Sequence, residues 1–139
     1  MKPHAVNPIL NVSSFAESVA WFKQLGWDLA WQWGDPPHFG AVCAGMVEIF
    51  LCEGAQGGRG RGTNRRTFGE DGGEKADKGV WMSLWVDDVD AIYEHCLKQG
   101  LDVTHPPTDH PWNAREMHVR HPDGHVFRIS KGAEEEGER

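Results

Sequence analysis

The chain has 139 residues, of which 39% are hydrophobic and 25% charged, and its formal net charge is −7 at pH 7. This length and composition fit a single globular domain. The acidic balance argues against nucleic-acid and anionic-membrane partners, and no apolar run reaches the roughly 20 residues of a membrane span. The N-terminus lacks the apolar stretch of a signal peptide, and the three cysteines show no CxxC spacing. The sequence therefore predicts a cytoplasmic protein without a disulfide framework.

The first half of the chain carries one helix signal among several strand signals. Residues 6–12 form an apolar run that predicts a strand, and Pro8 favours a sheet edge because proline lacks a backbone N–H. Apolar residues at helical spacing then follow Ser14 and Glu17, which form a capping-box pattern, and they stop at Gly26. Further strands are predicted over 27–33, 38–43 and 46–52. The first half is thus β-α-β-β-β.

The segment 54–79 interrupts this pattern. It contains nine glycines, with arginines towards its start and acidic residues towards its end. Its GGRGRG stretch follows a strand but opens no helix, so it does not meet the requirement for a dinucleotide-binding turn. A stretch this long without periodicity predicts a mobile linker, and it remains open whether the linker folds over a binding groove.

The second half repeats the same kinds of element. A strand is predicted over 80–86, and Asp87 or Asp88 caps a helix that ends at Gly100. A strand over 101–105 should lead into a proline-rich loop that holds His105 and His110. The final strands, 114–120 and 125–130, are joined by a Pro-Asp-Gly turn, with His121 and His125 predicted to be exposed beside it. An acidic tail, 132–139, completes the chain.

The two halves form a weak internal repeat. Gly26 and Gly100 lie 74 residues apart, and each follows a valine by 14 residues and precedes an aspartate by two. The spacing predicts a single domain built from two modules, 4–53 and 80–131, joined by the glycine-rich linker 54–79. Each helix can cover only one face of its sheet, so the other face is available to a twin module or a ligand.

This arrangement resembles the vicinal oxygen chelate superfamily, also called the glyoxalase/bleomycin resistance/dioxygenase superfamily. The segments WNARE at 112–116 and HPDGHVFRI at 121–129 are similar to the ending of its members. The resemblance covers residues 4–131 and implies an α+β fold of two tandem β-α-β-β-β modules, with mixed and antiparallel sheets curved around a cleft. The superfamily includes isomerases, dioxygenases, thiol transferases and binding proteins, so the fold does not define the function.

The resemblance also identifies positions at which metal-dependent members carry their ligands. The first-strand position corresponds approximately to Asn7, and the start of the second module, 80–83, contains no histidine. The last-strand glutamate is replaced by Arg128, whose guanidinium offers no lone pair to a metal. These departures favour the bleomycin-resistance branch and predict that no metal or other cofactor is bound. A rearranged site using Glu116 and His118 remains an alternative.

Strand alternation indicates which side chains face away from the helices. Trp81, Ser83 and Trp85 alternate with apolar residues, and so do Glu116 and His118. Arg128 falls on the polar face and can contact either Glu116 or His118, as a structural pair or as part of a binding site. The side chains predicted to bind a ligand are Trp31, Trp33, Phe39, Glu48, Phe50, Trp81, Ser83, Trp85, Trp112, Arg115, Glu116, His118 and Arg128.

An aromatic wall that includes carboxylates suits a planar, cationic ligand. Together with the resemblance, it predicts a binding protein without catalytic residues that sequesters a cationic aromatic antibiotic of the bleomycin type and so confers drug resistance. The resemblance further implies a homodimer, with exchange of the N-terminal strand. The alternatives are a metal-dependent lyase, isomerase or dioxygenase with altered ligands, and a binder of some other small metabolite.

Overall fold

A computed structural model describes residues 1–55 and 79–132 of the chain. Its elements are β1 (Ile9–Val12), α1 (Phe15–Leu25), β2 (Asp28–Gly34), β3 (Pro37–Ala44), β4 (Val47–Glu53), β5 (Trp81–Trp85), α2 (Val89–Gln99), β6 (Asp102–His110), β7 (Ala114–Arg120) and β8 (Val126–Gly132). The predicted β-α-β-β-β order is confirmed in both halves. Apart from their end residues, the predicted linker and acidic tail lie outside the described residues. Neither helix within the described ranges is long and apolar enough to cross a membrane.

The chain divides into two compact units, each built on a four-stranded mixed sheet. Unit 1 comprises Met1–Val80 and Pro122–His125, and unit 2 comprises Trp81–His121 and the chain from Val126 onwards. The strand orders are β1-β4-β3-β2 in unit 1 and β5-β8-β7-β6 in unit 2. In each sheet the first pair of strands is parallel and the other two pairs are antiparallel. The predicted α+β class and the tandem repeat of topology are therefore confirmed.

The two helices begin and end at equivalent positions. Ser14 accepts a hydrogen bond from the Glu17 backbone N–H at 3.1 Å, and Asp88 accepts one from the Ala91 backbone N–H at 3.0 Å. These contacts satisfy N–H groups that have no partner within the helix. They confirm the cap at Ser14 and identify Asp88, not Asp87, as the cap of α2. Left-handed glycines end both helices, with φ of 109° at Gly26 and 70° at Gly100.

In unit 1, one face of the sheet is closed by α1. The buried core includes Phe15, Val19 and Phe22 from the helix and Leu10, Val12, Val42, Ile49 and Leu51 from the sheet. Gly40 makes this close packing feasible, because a Cβ there would lie 2.6 Å from the Phe15 ring and 2.5 Å from the Trp31 carbonyl oxygen. In unit 2, the buried side chains are Val89 and Cys96 from α2 and Met117, Val119, Phe127 and Ile129 from the sheet.

Two predicted strand boundaries differ from the structure by three residues or more. β1 begins at Ile9, so residues 6–8 precede the strand. The predicted proline-rich loop after residue 105 is wrong, because β6 continues to His110 through Pro106 and Pro107. β6 is the last strand in the order of its sheet, and register shifts interrupt its pairing with β7. An edge position with bulges tolerates prolines that a central strand could not.

The prediction that His121 and His125 are exposed is also wrong. Both side chains are buried. Within unit 1, the Nδ1 atom of His125 accepts a hydrogen bond from the Val80 backbone N–H at 3.1 Å, and its Nε2–H donates to the Asn11 carbonyl at 2.9 Å. The burial of His125 is tolerated because both nitrogens of its ring have hydrogen-bond partners. The Asp123 carboxylate accepts a hydrogen bond from the Ser13 backbone N–H at 2.9 Å in the same unit.

Candidate functional site

An aromatic triad lies on the face of the unit 1 sheet that points away from α1. It consists of Trp31, Phe39 and Phe50, whose rings meet edge to face with centroid separations of 5.1 to 5.9 Å. Strand alternation places these rings opposite the buried residues Val42 and Ile49, as the sequence predicts. The three rings therefore form one continuous apolar surface.

The register of the sheet explains how this surface is organised. Ala41 pairs with Trp31 on one side and with Phe50 on the other, and it is fully buried. A small side chain at this central position leaves room for the two larger rings beside it. Trp33 pairs with Phe39 and is 75% exposed. Glu48 lies two residues before Phe50 and so shares its face, which places a carboxylate at the end of the aromatic surface.

In unit 2, a network of donors surrounds the carboxylate of Glu116, which is only 2% exposed. Its Oε1 accepts hydrogen bonds from Trp112 Nε1 at 3.0 Å and from Arg128 Nη2 at 3.0 Å. Its Oε2 accepts from His118 Nε2 at 2.9 Å and from Arg128 Nε at 3.1 Å. Of the contacts left open by the sequence, Arg128 thus bonds Glu116, and His118 bonds the same carboxylate.

The network keeps Glu116 ionised. The Arg128 guanidinium lowers the pKa of Glu116 from 4.5 to about 2, His118 and Trp112 contribute in the same direction, and burial opposes them. An ionised carboxylate only accepts hydrogen bonds, so His118 must carry its proton on Nε2. With about four acceptor positions and four hydrogen bonds, Glu116 has no acceptor left for a cationic ligand. The hydrogen bonds of Glu116 instead fix the orientation of Arg128, His118 and Trp112.

Further rings extend the Glu116 network. The Trp81 ring contacts His118 edge to face at 5.1 Å, and the Arg128 guanidinium lies 6.0 Å from the Trp81 ring centroid. On the other side, Trp112 stacks on His110 at 4.3 Å with an interplanar angle of 4°. The sequence prediction missed His110 as part of this cluster because it assigned the residue to a loop. No local pattern reports the bulges of β6 that bring the residue here.

The other predicted residues of unit 2 fall on two different faces. Ser83 pairs with Arg128 in register, and the exposed Trp85 lies two residues further along β5, on the same face as the network. Arg115 lies apart from Glu116: it donates to Asp90 of α2 at 2.8 and 2.9 Å and to Asp109 at 3.2 Å. The hydrogen bonds that Arg115 donates to the carboxylates of Asp90 and Asp109 raise its pKa. Arg115 therefore lies on the opposite face of the sheet from Glu116, and its predicted role in ligand binding stays a prediction.

Arg115 instead borders a separate depression of about 360 Å³ in unit 2. This depression is lined by Asp109, His110, Asn113, Ala114, Arg115, Lys131 and Gly132. Two of the lining side chains, Arg115 and Asp109, already pair with each other. The depression adjoins the strand ends of the sheet, and its lining contains none of the aromatic residues predicted to bind a ligand.

Sequence comparison identifies the family to which this fold and these faces belong. The family model of the Glyoxalase/Bleomycin resistance protein/Dioxygenase superfamily matches residues 3–129. The chain belongs to this superfamily. No curated protein sequence matches the chain.

Solved structures with the same fold include a bleomycin-binding protein and a bleomycin resistance determinant. A bleomycin-binding protein complexed with bleomycin is 16% identical, with a TM-score of 0.67 over 94% of this chain and 99% of that one. The bleomycin resistance determinant encoded on the transposon Tn5 is 15% identical, with a TM-score of 0.68 over 94% and 98%. TioX from Micromonospora sp. ML1 is 20% identical, with a TM-score of 0.66 over 94% and 98%. At these identities the likeness concerns the fold alone.

The residues at the superfamily's metal positions do not fit a metal. Arg128, which the resemblance places at the position of the last-strand glutamate, is bonded to Glu116. Asn7 donates its side-chain amide to the Glu48 carbonyl at 3.0 Å. Within residues 1–55 and 79–132, no group of three or more His, Cys, Asp or Glu side chains is arranged to hold a metal ion. The rearranged alternative is disfavoured as well, because the Nε2 atom of His118 already donates to Glu116.

Proposed function

We propose that this protein is a binding protein that sequesters a planar, cationic aromatic antibiotic of the bleomycin type. The observation that carries the proposal is the aromatic triad of unit 1, with the exposed Trp33 on one side and Glu48 at its end. Flat rings stack on such a surface, and a carboxylate attracts a positive charge. The bleomycin-binding protein of the same fold supports this choice of ligand class.

The proposed binding mode requires neither a metal nor a catalytic group. Each favourable ring contact contributes about 0.5–1.5 kcal/mol beyond the burial of apolar area, so several together give useful affinity. Trp81 and Trp85 of unit 2 are also exposed and provide further stacking surfaces. The formal net charge of −7 favours the approach of a cation from a distance.

We also propose that the protein acts as a cytoplasmic homodimer. β1 lies at the edge of its sheet, and residues 1–8 precede it without forming a helix or strand. An edge strand with an extended leading segment is suited to exchange between two copies, because its backbone groups can pair with either chain. Light scattering on the purified protein measures the mass directly, and a monomer at all concentrations contradicts this part of the proposal.

The test is a titration with bleomycin, followed by tryptophan fluorescence in the presence of EDTA. We expect quenching for the wild type, and a dissociation constant raised about tenfold, equivalent to ~1.4 kcal/mol, in Trp33→Ala and in Glu48→Gln. Glu17→Gln, on the exposed side of α1, removes the same charge as Glu48→Gln and should bind like the wild type.

Three outcomes of this titration would count against the proposal. Absence of quenching by bleomycin and by other cationic aromatic drugs contradicts it. Binding that disappears in EDTA favours the metal-dependent alternative. Equal affinity in all variants means that the ligand does not bind to the sheet face that carries the aromatic triad, Trp33 and Glu48.

A further inference from the structure

His105 and His110 bring two imidazole nitrogens together on the edge strand of unit 2. Their Nε2 atoms are 3.3 Å apart, and their rings are nearly parallel, with centroids 5.4 Å apart and an interplanar angle of 20°. Both side chains are partly buried. This pair is distinct from the aromatic triad of unit 1 and from the superfamily's metal positions.

The bulges of β6 create this pairing. Residues five apart in a regular strand point to opposite faces, because side chains alternate. Here the four residues of β6 from His105 to Thr108 lie opposite only three residues of β7, from His118 to Glu116. The extra residue reverses the alternation and places His110 on the same face as His105.

The nitrogen separation matches that of two ligands on one metal ion. Nitrogens bound at about 2.0–2.1 Å with a tetrahedral angle lie about 3.3 Å from each other. Two neutral imidazoles at this distance share at most one proton between their facing nitrogens. A divalent cation can take the place of that proton, and it binds both lone pairs instead of one.

We propose that His105 and His110 form a two-imidazole binding site for a divalent transition-metal ion, with the remaining coordination positions filled by water or by a small chelating ligand. Imidazole nitrogens select Cu(II), Ni(II) and Zn(II) over Mg(II) and Ca(II), and Cu(II) binds most tightly. Because no third protein ligand joins the pair within residues 1–55 and 79–132, the ion is exchangeable and is not a structural metal.

The charges around the pair are compatible with a cation. Glu116 Oε1 lies 4.0 Å from His110 Nε2, near enough to attract the ion, although its hydrogen bonds prevent direct ligation. The positive charge of Arg128 is compensated by its two hydrogen bonds to Glu116. Two other titratable side chains lie near the pair. Asp109 is next to His110 in the sequence, and the ring centroid of His118 is 4.7 Å from that of His105. Both nitrogens must be deprotonated to bind the ion, so affinity should fall as the pH is lowered.

The experiment uses untagged, EDTA-stripped full-length protein. Cu(II) and Zn(II) are titrated separately by calorimetry, and the Cu(II) complex is examined by electron paramagnetic resonance. We expect one site per chain and hyperfine coupling from two imidazole nitrogens. His105→Gln and His110→Gln should each weaken Cu(II) binding at least tenfold. His38→Gln, whose ring is exposed and bonded to Glu53 in unit 1, should leave it unchanged.

A measurement on the unaltered chain keeps the test independent of variant stability. On addition of Zn(II), the side-chain nitrogen resonances of His105 and His110 should shift more than those of the other histidines. No saturable binding, shifts spread evenly over all histidines, or an equal loss in His38→Gln would mean an adventitious ion only and would overturn the proposal. The drug titration in EDTA does not involve this site, so either proposal can fail without the other.

Discussion

A buried carboxylate is stable only where donors replace the water that it has lost. Glu116 meets this requirement through His118 on the same strand, Arg128 on the neighbouring strand β8, and Trp112 just before β7. The arrangement locks the rings of His118 and Trp112 in place. At the scale of single residues, burying the Glu116 charge is unfavourable by itself, but the hydrogen bonds that stabilise it also fix the orientation of the surrounding side chains.

Replacing Glu116 with glutamine should destabilise unit 2. The amide removes the counter-charge of Arg128 and directs N–H groups at existing donors, so we expect a loss of about 3 kcal/mol in the free energy of unfolding. Urea denaturation measures the change. Glu17→Gln is the control and should stay within about 0.5 kcal/mol of the wild type. An unchanged stability of Glu116→Gln would show that the network contributes nothing net.

The same carboxylate predicts how stability depends on pH. The pKa of Glu116 is lowered from 4.5 to about 2 in the folded protein, so the unfolded chain takes up this proton first as the pH falls. The stabilisation from Glu116 is then fully present above about pH 4.5 and is lost between that pH and about 2. Across this window the wild type should lose more stability than Glu116→Gln, and parallel curves for the two proteins would contradict the assignment.

At the scale of elements, close approach and strand irregularity determine where side chains go. Gly40 lets the Phe15 ring lie against the backbone of β3, and this packing sets α1 close to its sheet. The bulges of β6 bring His110 onto the face of His105. Both features depend on single positions within otherwise regular elements, so single substitutions test them.

Gly40→Ala should destabilise unit 1 by about 2 kcal/mol or more. The added Cβ would lie 2.5 Å from the Trp31 carbonyl oxygen and 2.6 Å from the Phe15 ring, so backbone and ring must both shift. Gly132→Ala is a matched control, since within residues 1–55 and 79–132 its added Cβ would meet only the Trp85 ring, at 3.9 Å. Thermal unfolding of both variants gives the comparison, and equal melting temperatures would refute the packing argument.

At the scale of the whole molecule, the net charge and the exposure of the tryptophans both favour the same class of ligand. The chain has a formal net charge of −7 and seven tryptophans. Five of these, Trp31, Trp33, Trp81, Trp85 and Trp112, are among its exposed large hydrophobic side chains. A single exposed tryptophan is ordinary, but this number on an acidic chain supports a planar, cationic ligand.

The affinity for a cationic aromatic ligand should therefore decrease with ionic strength. Salt screens charges separated by more than about 10 Å at 0.1 M, so the long-range contribution of the acidic chain disappears first. We expect the dissociation constant of bleomycin to rise several-fold between about 50 mM and 500 mM salt, and less so in Glu48→Gln. Affinity independent of salt would mean that stacking alone drives binding and that charge plays no part.

Much of the fold follows from the sequence alone, because its signals are local. The caps at Ser14 and Asp88, the terminating glycines and the 74-residue repeat each depend on a few neighbouring residues. Alternation with a period of two also predicted which rings of β2, β3 and β4 share a face. The donors around Glu116 lie within 12 residues of it in the chain, and alternation already placed His118 and Arg128 on its face. The burial of His121 and His125, the extension of β6 through its prolines and the pairing of His105 with His110 are different, because they depend on residues distant in the chain or on an irregular register. Only the tertiary structure decided these features, since hydrogen-bond partners and strand register are set by packing between segments and leave no periodic trace in the sequence.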